Sequence, residues 1–162
     1  MIVVSPESKH RLWIAMRLGL GASAFQTACG TVAVEKDGNT LAAVIYTDYQ
    51  VFPRNGRSCC WASIAAMPNV NWCTRGFVKA MLAYPFDVLG VCVLRTMCDK
   101  RNKQARRFNE HLGLNLTGIA RRGWDGHFPA AHYDMLPHEA ERWLGYEPTA
   151  WKEGSIEERA NG

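Results

Sequence analysis

Two apolar runs with a helical pattern between them constrain this chain most. Residues 59–67 read CCWASIAAM and residues 91–98 read VCVLRTMC, each a strand-length apolar run. Between them, residues 74–84 (TRGFVKAMLAY) set Phe77, Met81 and Tyr84 on one helical face, with Val78 and Leu82 beside them. Strand, helix and strand in that order imply a parallel pair joined by a crossover helix. Pro68 closes the first run. A second helical pattern follows over residues 103–112, with Ala105, Phe108 and Leu112 on one face and the arginines on the other. Gly113 then stands where a helix end calls for a left-handed residue.

The flanks read as hairpins. Residues 31–36 (TVAVEK) and 40–46 (TLAAVIY) surround an Asp37-Gly38 turn signal. Residues 115–121 and 131–136 form a second strand pair, joined by the turn-rich WDGHFP segment. Ser5-Pro6-Glu7 predicts a helix start, leading into Leu12, Trp13, Ile14, Met16 and Leu18 until Gly19 and Gly21 stop the run. The order helix, hairpin, strand, helix, strand, helix, hairpin makes an α/β or α+β sandwich with a mixed sheet, not a full doubly wound nucleotide fold. Residues 1–151 are expected to be one domain, and residues 152–162 a polar, disordered tail.

A chain of 162 residues can bury one real core. The net charge of +4 suits an acidic ligand or partner. It is low for a protein held to nucleic acid by charge alone. None of the six cysteines is paired in a C-x-x-C spacing, so no metal site is expected and all six are expected as free thiols in a cytoplasmic protein. The N-terminus has no signal-peptide pattern, and no run is long and apolar enough to span a membrane.

Several short motifs occur in a telling order. Asn102, Ala105 and Gly113-Leu114 resemble the N-x-x-A/S…L-G-F signature of the GNAT N-acyltransferase superfamily. AYPFDVLG (residues 83–90), Thr117-Gly118, Arg121-Arg122, the HYDML stretch and the EAERW that follows it are similar to segments of its ribosomal-protein alanine acetyltransferase branch. The resemblance implies a GNAT-type mixed, mostly antiparallel sheet flanked by helices, with a central parallel pair that splays apart. It further implies acetyl-CoA as cosubstrate, lying in the gap with its pyrophosphate at the crossover-helix start, where backbone N–H groups and the helix dipole favour anions. The matching segment supplies Cys73, Thr74, Arg75, Gly76, Phe77 and Val78. Cys73 replaces the family's Gln or Arg, Val78 replaces its last small residue, and Arg75 offers a replacement charge. Asn102 is expected either to meet the pantetheine arm or to cap its helix, with Ala105 beside it.

Direct attack of an amine on a thioester needs a neutral amine, a donor for the oxyanion and a way for the thiolate to leave. The resemblance places the oxyanion donor on the backbone near Ala66 and Met67. Asn109 falls where many relatives carry a Tyr general acid; its amide can donate to sulfur but cannot release a proton. Residues 59–67 hold no carboxylate, so the candidate base is His132, with Tyr133 and Asp134 on the same predicted strand and His127 on a loop. Ser63 and Cys60 are candidates to orient water or thioester. The acceptor is expected to be a protein N-terminus, a lysine or a small amine. A nucleic-acid base is an alternative, suited by Arg101, Arg106, Arg107, Arg121 and Arg122 with Trp124. A GNAT-like binding module without catalysis is the other. Monomer and homodimer are both compatible with the sequence.

Overall fold

The computed structural model describes residues 1–5 and 9–148. Its centre is a seven-stranded sheet in the order β1-β2-β3-β4-β5-β7-β6. The strands are β1 (Ile2–Ser5), β2 (Ala28–Lys36), β3 (Asn39–Val51), β4 (Ser58–Ala66), β5 (Val93–Asp99), β6 (Asn115–Ala120) and β7 (Ala130–Met135). Every neighbouring pair is antiparallel except β4 and β5, which are parallel. The helices are α1 (Arg11–Arg17), α2 (Arg75–Ala83), α3 (Lys103–Leu112) and a short α4 (Glu141–Leu144).

Local chemistry explains most of these boundaries. Asp37 and Gly38 both take positive φ (51° and 79°), the requirement of a two-residue hairpin turn between β2 and β3. The Thr74 hydroxyl accepts the Phe77 N–H at 3.2 Å and starts α2. Beyond Ala83, α2 runs into a single π turn, Tyr84–Val88, closed by Leu89 N–H donating to the Tyr84 carbonyl. Gly113 at φ 96° ends α3, with the Leu114 N–H reaching Asn109 and the Gly113 N–H reaching Glu110 in a Schellman arrangement.

Two regions differ from the sequence reading. Ser5 does not start a helix; it ends β1, because the IVVS segment pairs along β2, with Val3 opposite Ala33. Residues 6–8 lie outside the described residues, and α1 begins only at Arg11, after the buried His10. His10 takes its place through Glu35 on β2, 2.7 Å from Nε2, a long-range partner invisible to local pattern. The second difference is at the chain's end, where a 3-10 turn (Pro137–Ala140) and α4 follow β7. The expected tail falls outside the described residues.

The sheet separates two cores. The larger one packs α2, α3 and α4 on one face, around Tyr46, Phe77, Phe86 and Tyr133. The smaller lies under α1 on the other face and joins Ile14 to Ala33, Ala43, Ile45 and Ala65. Since α1 covers only the β2–β4 side, β5 and β7 are left open there, and Met97 in the middle of a central strand is 42% exposed. All six cysteines are free thiols.

Candidate active site

The site is built by a break in the sheet. β4 and β5 pair over three rungs only, Cys59 with Val93, Cys60 with Leu94 and Trp61 with Arg95. Beyond that, β4 follows β3 as far as Ala66, while β5 follows β7 as far as Asp99. The two strands therefore part at Ala62 and Thr96. The Met67 N–H donates to the Leu41 carbonyl at 2.7 Å, which sets the alternation along β4. Backbone groups of residues 61, 63 and 65 turn to β3, and those of Ala62, Ile64 and Ala66 turn to the gap. Met67 thus cannot be the oxyanion donor, since its N–H is already engaged. The Ala66 carbonyl accepts from Arg17 Nη2 at 3.2 Å.

On the α2 and α3 side, the gap opens into a cavity of about 380 Å³, part of it continuous with solvent. Its walls are Ala62 and Ile64 of β4, Thr96 of β5, Met81 and Leu82 of α2, and Phe108 and Asn109 of α3. Its lining has the character of a ligand-binding slot, with apolar walls and a few polar groups. Asn109 is buried, and its Nδ2 lies 4.0 Å from Cys98 Sγ on β5. Burial pushes the Cys98 thiol up, against a smaller opposing pull from Arg106, so it stays protonated near neutral pH.

The start of α2 stands just past the end of β4. Thr74 uses its hydroxyl on the Phe77 N–H, leaving the Arg75 and Gly76 N–H groups as the open donors of the first turn. Cys73, Thr74, Arg75 and Gly76 are exposed, whereas Phe77 and Val78 point into the core. Of these six sequence candidates, the first four are exposed at the helix start and the last two anchor it in the core. Trp72 packs against both Phe77 and Phe108, at 6.0 and 5.6 Å between ring centroids, and so ties this loop to α3. Asn102 caps α3 by accepting the Ala105 N–H at 3.0 Å.

The remaining candidates separate by strand face and loop. Tyr133 does not share a face with His132. It points under α3, fully buried, with its hydroxyl donating to Glu110 and accepting from Arg106 Nε at 3.1 Å. Adjacent residues of a strand face opposite ways, so only one of the two can reach the open face. Cys60 also belongs to the large core, with burial pushing its thiol up, and is not presented to the gap's open side. His127 sits on the exposed β6–β7 turn. His132 is on the open face, partly buried, with its ring edge-on to Trp61 at 5.6 Å. Strand parity places Trp61, Ser63, Arg95, Met97, His132 and Asp134 together on that face. Asp134 stands opposite Arg95 in register; burial, with help from Glu139, raises its carboxyl, and Arg95 opposes the rise. Arg17, Trp61 and Met97 were not among the expected site residues. For Trp61 and Met97 the signal is parity, usable only once the strand register is known; Arg17 arrives from α1 and has no local signal.

No protein-family model matches the sequence, and no curated protein gives a significant match. Solved structures do match. A chimera of Vibrio cholerae spermidine N-acetyltransferase SpeG and hSSAT superposes with a TM-score of 0.65 at 14% identity, covering 88% of this chain and 98% of that one. The fold is the acetyltransferase fold. A dodecameric spermidine N-acetyltransferase from V. cholerae gives 0.65 at 13% identity, over 88% and 96% of the two chains. A GNAT-family acetyltransferase from Bacillus anthracis gives 0.50 at 15% identity, over 66% and 64%. The GNAT fold expected from the motifs is therefore present, with its mixed sheet and single parallel pair. Among the described residues, no helix is long and apolar enough to cross a membrane.

Proposed function

We propose that the protein is an acyl-CoA-dependent N-acyltransferase that moves an acetyl group from acetyl-CoA to an amine by direct attack. The observation that carries this reading is the parting of β4 and β5 next to the start of α2. It joins an apolar slot, unpaired strand backbone and a helix N-terminus in one place.

The residues fit the cosubstrate. The N–H groups of Arg75 and Gly76, with the Arg75 guanidinium, suit the pyrophosphate. Ala62, Ile64, Thr96 and Phe108 suit the pantetheine arm. Acetyl-CoA supplies an activated acetyl thioester. The Ile64 and Ala66 N–H groups, turned into the gap, are placed to donate to the oxyanion. The Asn109 amide, on the cavity wall, can donate to the leaving sulfur. His132, on the acceptor face, is placed to take the proton lost by the attacking nitrogen. Acceptor and acetyl donor approach the gap from opposite faces of the sheet.

The test is transfer of radiolabelled acetyl from acetyl-CoA to a panel of amines: N-terminal peptides, lysine peptides, polyamines and nucleobase amines. Acetyl-CoA-dependent labelling of any acceptor supports the reading. Tight acetyl-CoA binding with no transfer to any acceptor leaves a binding module instead.

A further inference from the structure

We propose that the acceptor is a base of single-stranded nucleic acid, its exocyclic amine presented to the gap from the open face of the sheet. This rests on the acyltransferase reading above and adds the substrate class.

Two independent observations carry it. The first is charge. Around the parted ends of β4 and β5 stand Arg17 at the end of α1, Arg75 at the start of α2, Lys100 and Lys103 at the start of α3, and Arg121 and Arg122 on the β6–β7 turn. Arg101 is there too, but it is held by Asp99 at 2.6 Å. The one other carboxylate on these segments, Asp125, accepts the His127 and Phe128 N–H groups. The pyrophosphate and ribose phosphate of CoA account for cations at the starts of α2 and α3. Arg17, Arg121 and Arg122 lie on other segments and are left for a second anion. Among the described residues, neither Arg121 nor Arg122 makes an ion pair.

The second observation is the floor of the open face. Trp61 and the 42% exposed Met97 offer a flat apolar platform beside His132. Among the described residues, Asp99 and Asp134 are the carboxylates that strand parity puts on that face of β5 and β7; Arg101 holds Asp99, and Arg95 opposes Asp134, whose carboxyl is raised. An exocyclic amine on a heteroaromatic ring is already neutral at pH 7 and needs no carboxylate to deprotonate it. Its ring can stack on Trp61 while the phosphates of the strand meet the arginines. In the transfer, the nitrogen forms the new N–C bond as the C–S bond breaks. The electron pair leaves on sulfur, and the nitrogen's proton passes to His132.

The experiment uses the full chain with a fluorescent mixed-sequence single-stranded oligodeoxynucleotide. Anisotropy across a salt series should give a slope of log affinity against log salt of about −2, from three phosphate contacts. Arg121→Ala with Arg122→Ala should flatten it by about 1.4 while acetyl-CoA affinity stays the same. Trp61→Ala should weaken binding about tenfold with an unchanged slope. Should that variant misfold, Met97→Glu at an exposed position should weaken binding instead. Label from acetyl-CoA should then appear on homopolymers bearing an exocyclic amine and not on oligothymidine. Acetyl-CoA binding with no oligonucleotide binding would overturn this inference and leave the acyltransferase reading intact. Equal binding of an acidic peptide, indifferent to Trp61→Ala, would place the acceptor on a protein and also overturn it.

Discussion

Trp61 and Arg95 form the last paired rung between β4 and β5, and the next residues on that face, Ser63 and Met97, stand on strands that have already parted. The parting gives the sheet a passage between its faces. Asn109 lines it from the α3 side, and His132, in register with Met97, flanks it from the open side.

This division predicts separable defects. Asn109→Ala should lower kcat with little change in the acceptor's KM, by about tenfold for one lost charge-directed hydrogen bond. His132→Ala should instead lower kcat/KM by about 10²-fold, the contribution of one general base. Steady-state kinetics checks both. An unchanged kcat/KM in His132→Ala removes His132 as base.

The start of α2 separates stability from binding. Thr74→Ala removes the cap to the Phe77 N–H and should cost about 1 kcal/mol, or about 2–4 °C in Tm for a chain this size. Gly76→Ala should leave Tm unchanged or higher, because its added Cβ meets only Ile2 Cδ1 at 3.5 Å. If the Gly76 N–H faces phosphate, the same substitution should still weaken acetyl-CoA binding. Thermal melts with and without acetyl-CoA read the two effects apart.

Gly30 is fixed by packing. A Cβ there would lie 2.0 Å from the Tyr84 hydroxyl, which donates to the Cys29 carbonyl at 3.0 Å. Tyr84 is also stacked on Tyr46 at 5.1 Å, so it cannot swing away freely. Gly30→Ala should destabilise by about 1–3 kcal/mol, whereas Tyr84→Phe should cost only the hydrogen bond, about 1 kcal/mol. Urea denaturation of the two variants checks the order.

Acid should loosen the packing of α1. His10, followed by Lys9, holds the Glu35 carboxyl below its usual value of 4.5. A depressed carboxyl contributes stability above its unfolded value and loses it as pH falls through the folded one. Stability should therefore decline from about pH 4.5 downward, and Glu35→Gln should remove part of that decline. Denaturation midpoints of both proteins between pH 2 and 6 check this.

The middle of the fold was legible because each signal there is local. Phe77, Met81 and Leu82 mark α2 by spacing, Asn102 and Gly113 bracket α3, and Asp37-Gly38 announces its hairpin. β1 was missed because IVVS is a strand only through its pairing with β2, while Ser-Pro-Glu is a strong local helix signal. The exposed start of α2 was legible through Thr74 and Gly76. The roles of Tyr133 and Met67 were not, since both depend on strand parity and hydrogen-bond alternation that no single residue reveals. Arg17 reached the site only through the long return of α1 across the sheet.

The most direct test of the account is calorimetric titration of the intact protein with acetyl-CoA, beside the variant Ala62→Phe, which fills the cavity between β4 and β5. The account predicts one site per chain with micromolar affinity, about 8 kcal/mol, and at least a tenfold loss in the variant at an unchanged melting temperature without ligand. Equal affinity in both proteins, or no heat at millimolar acetyl-CoA, would contradict it.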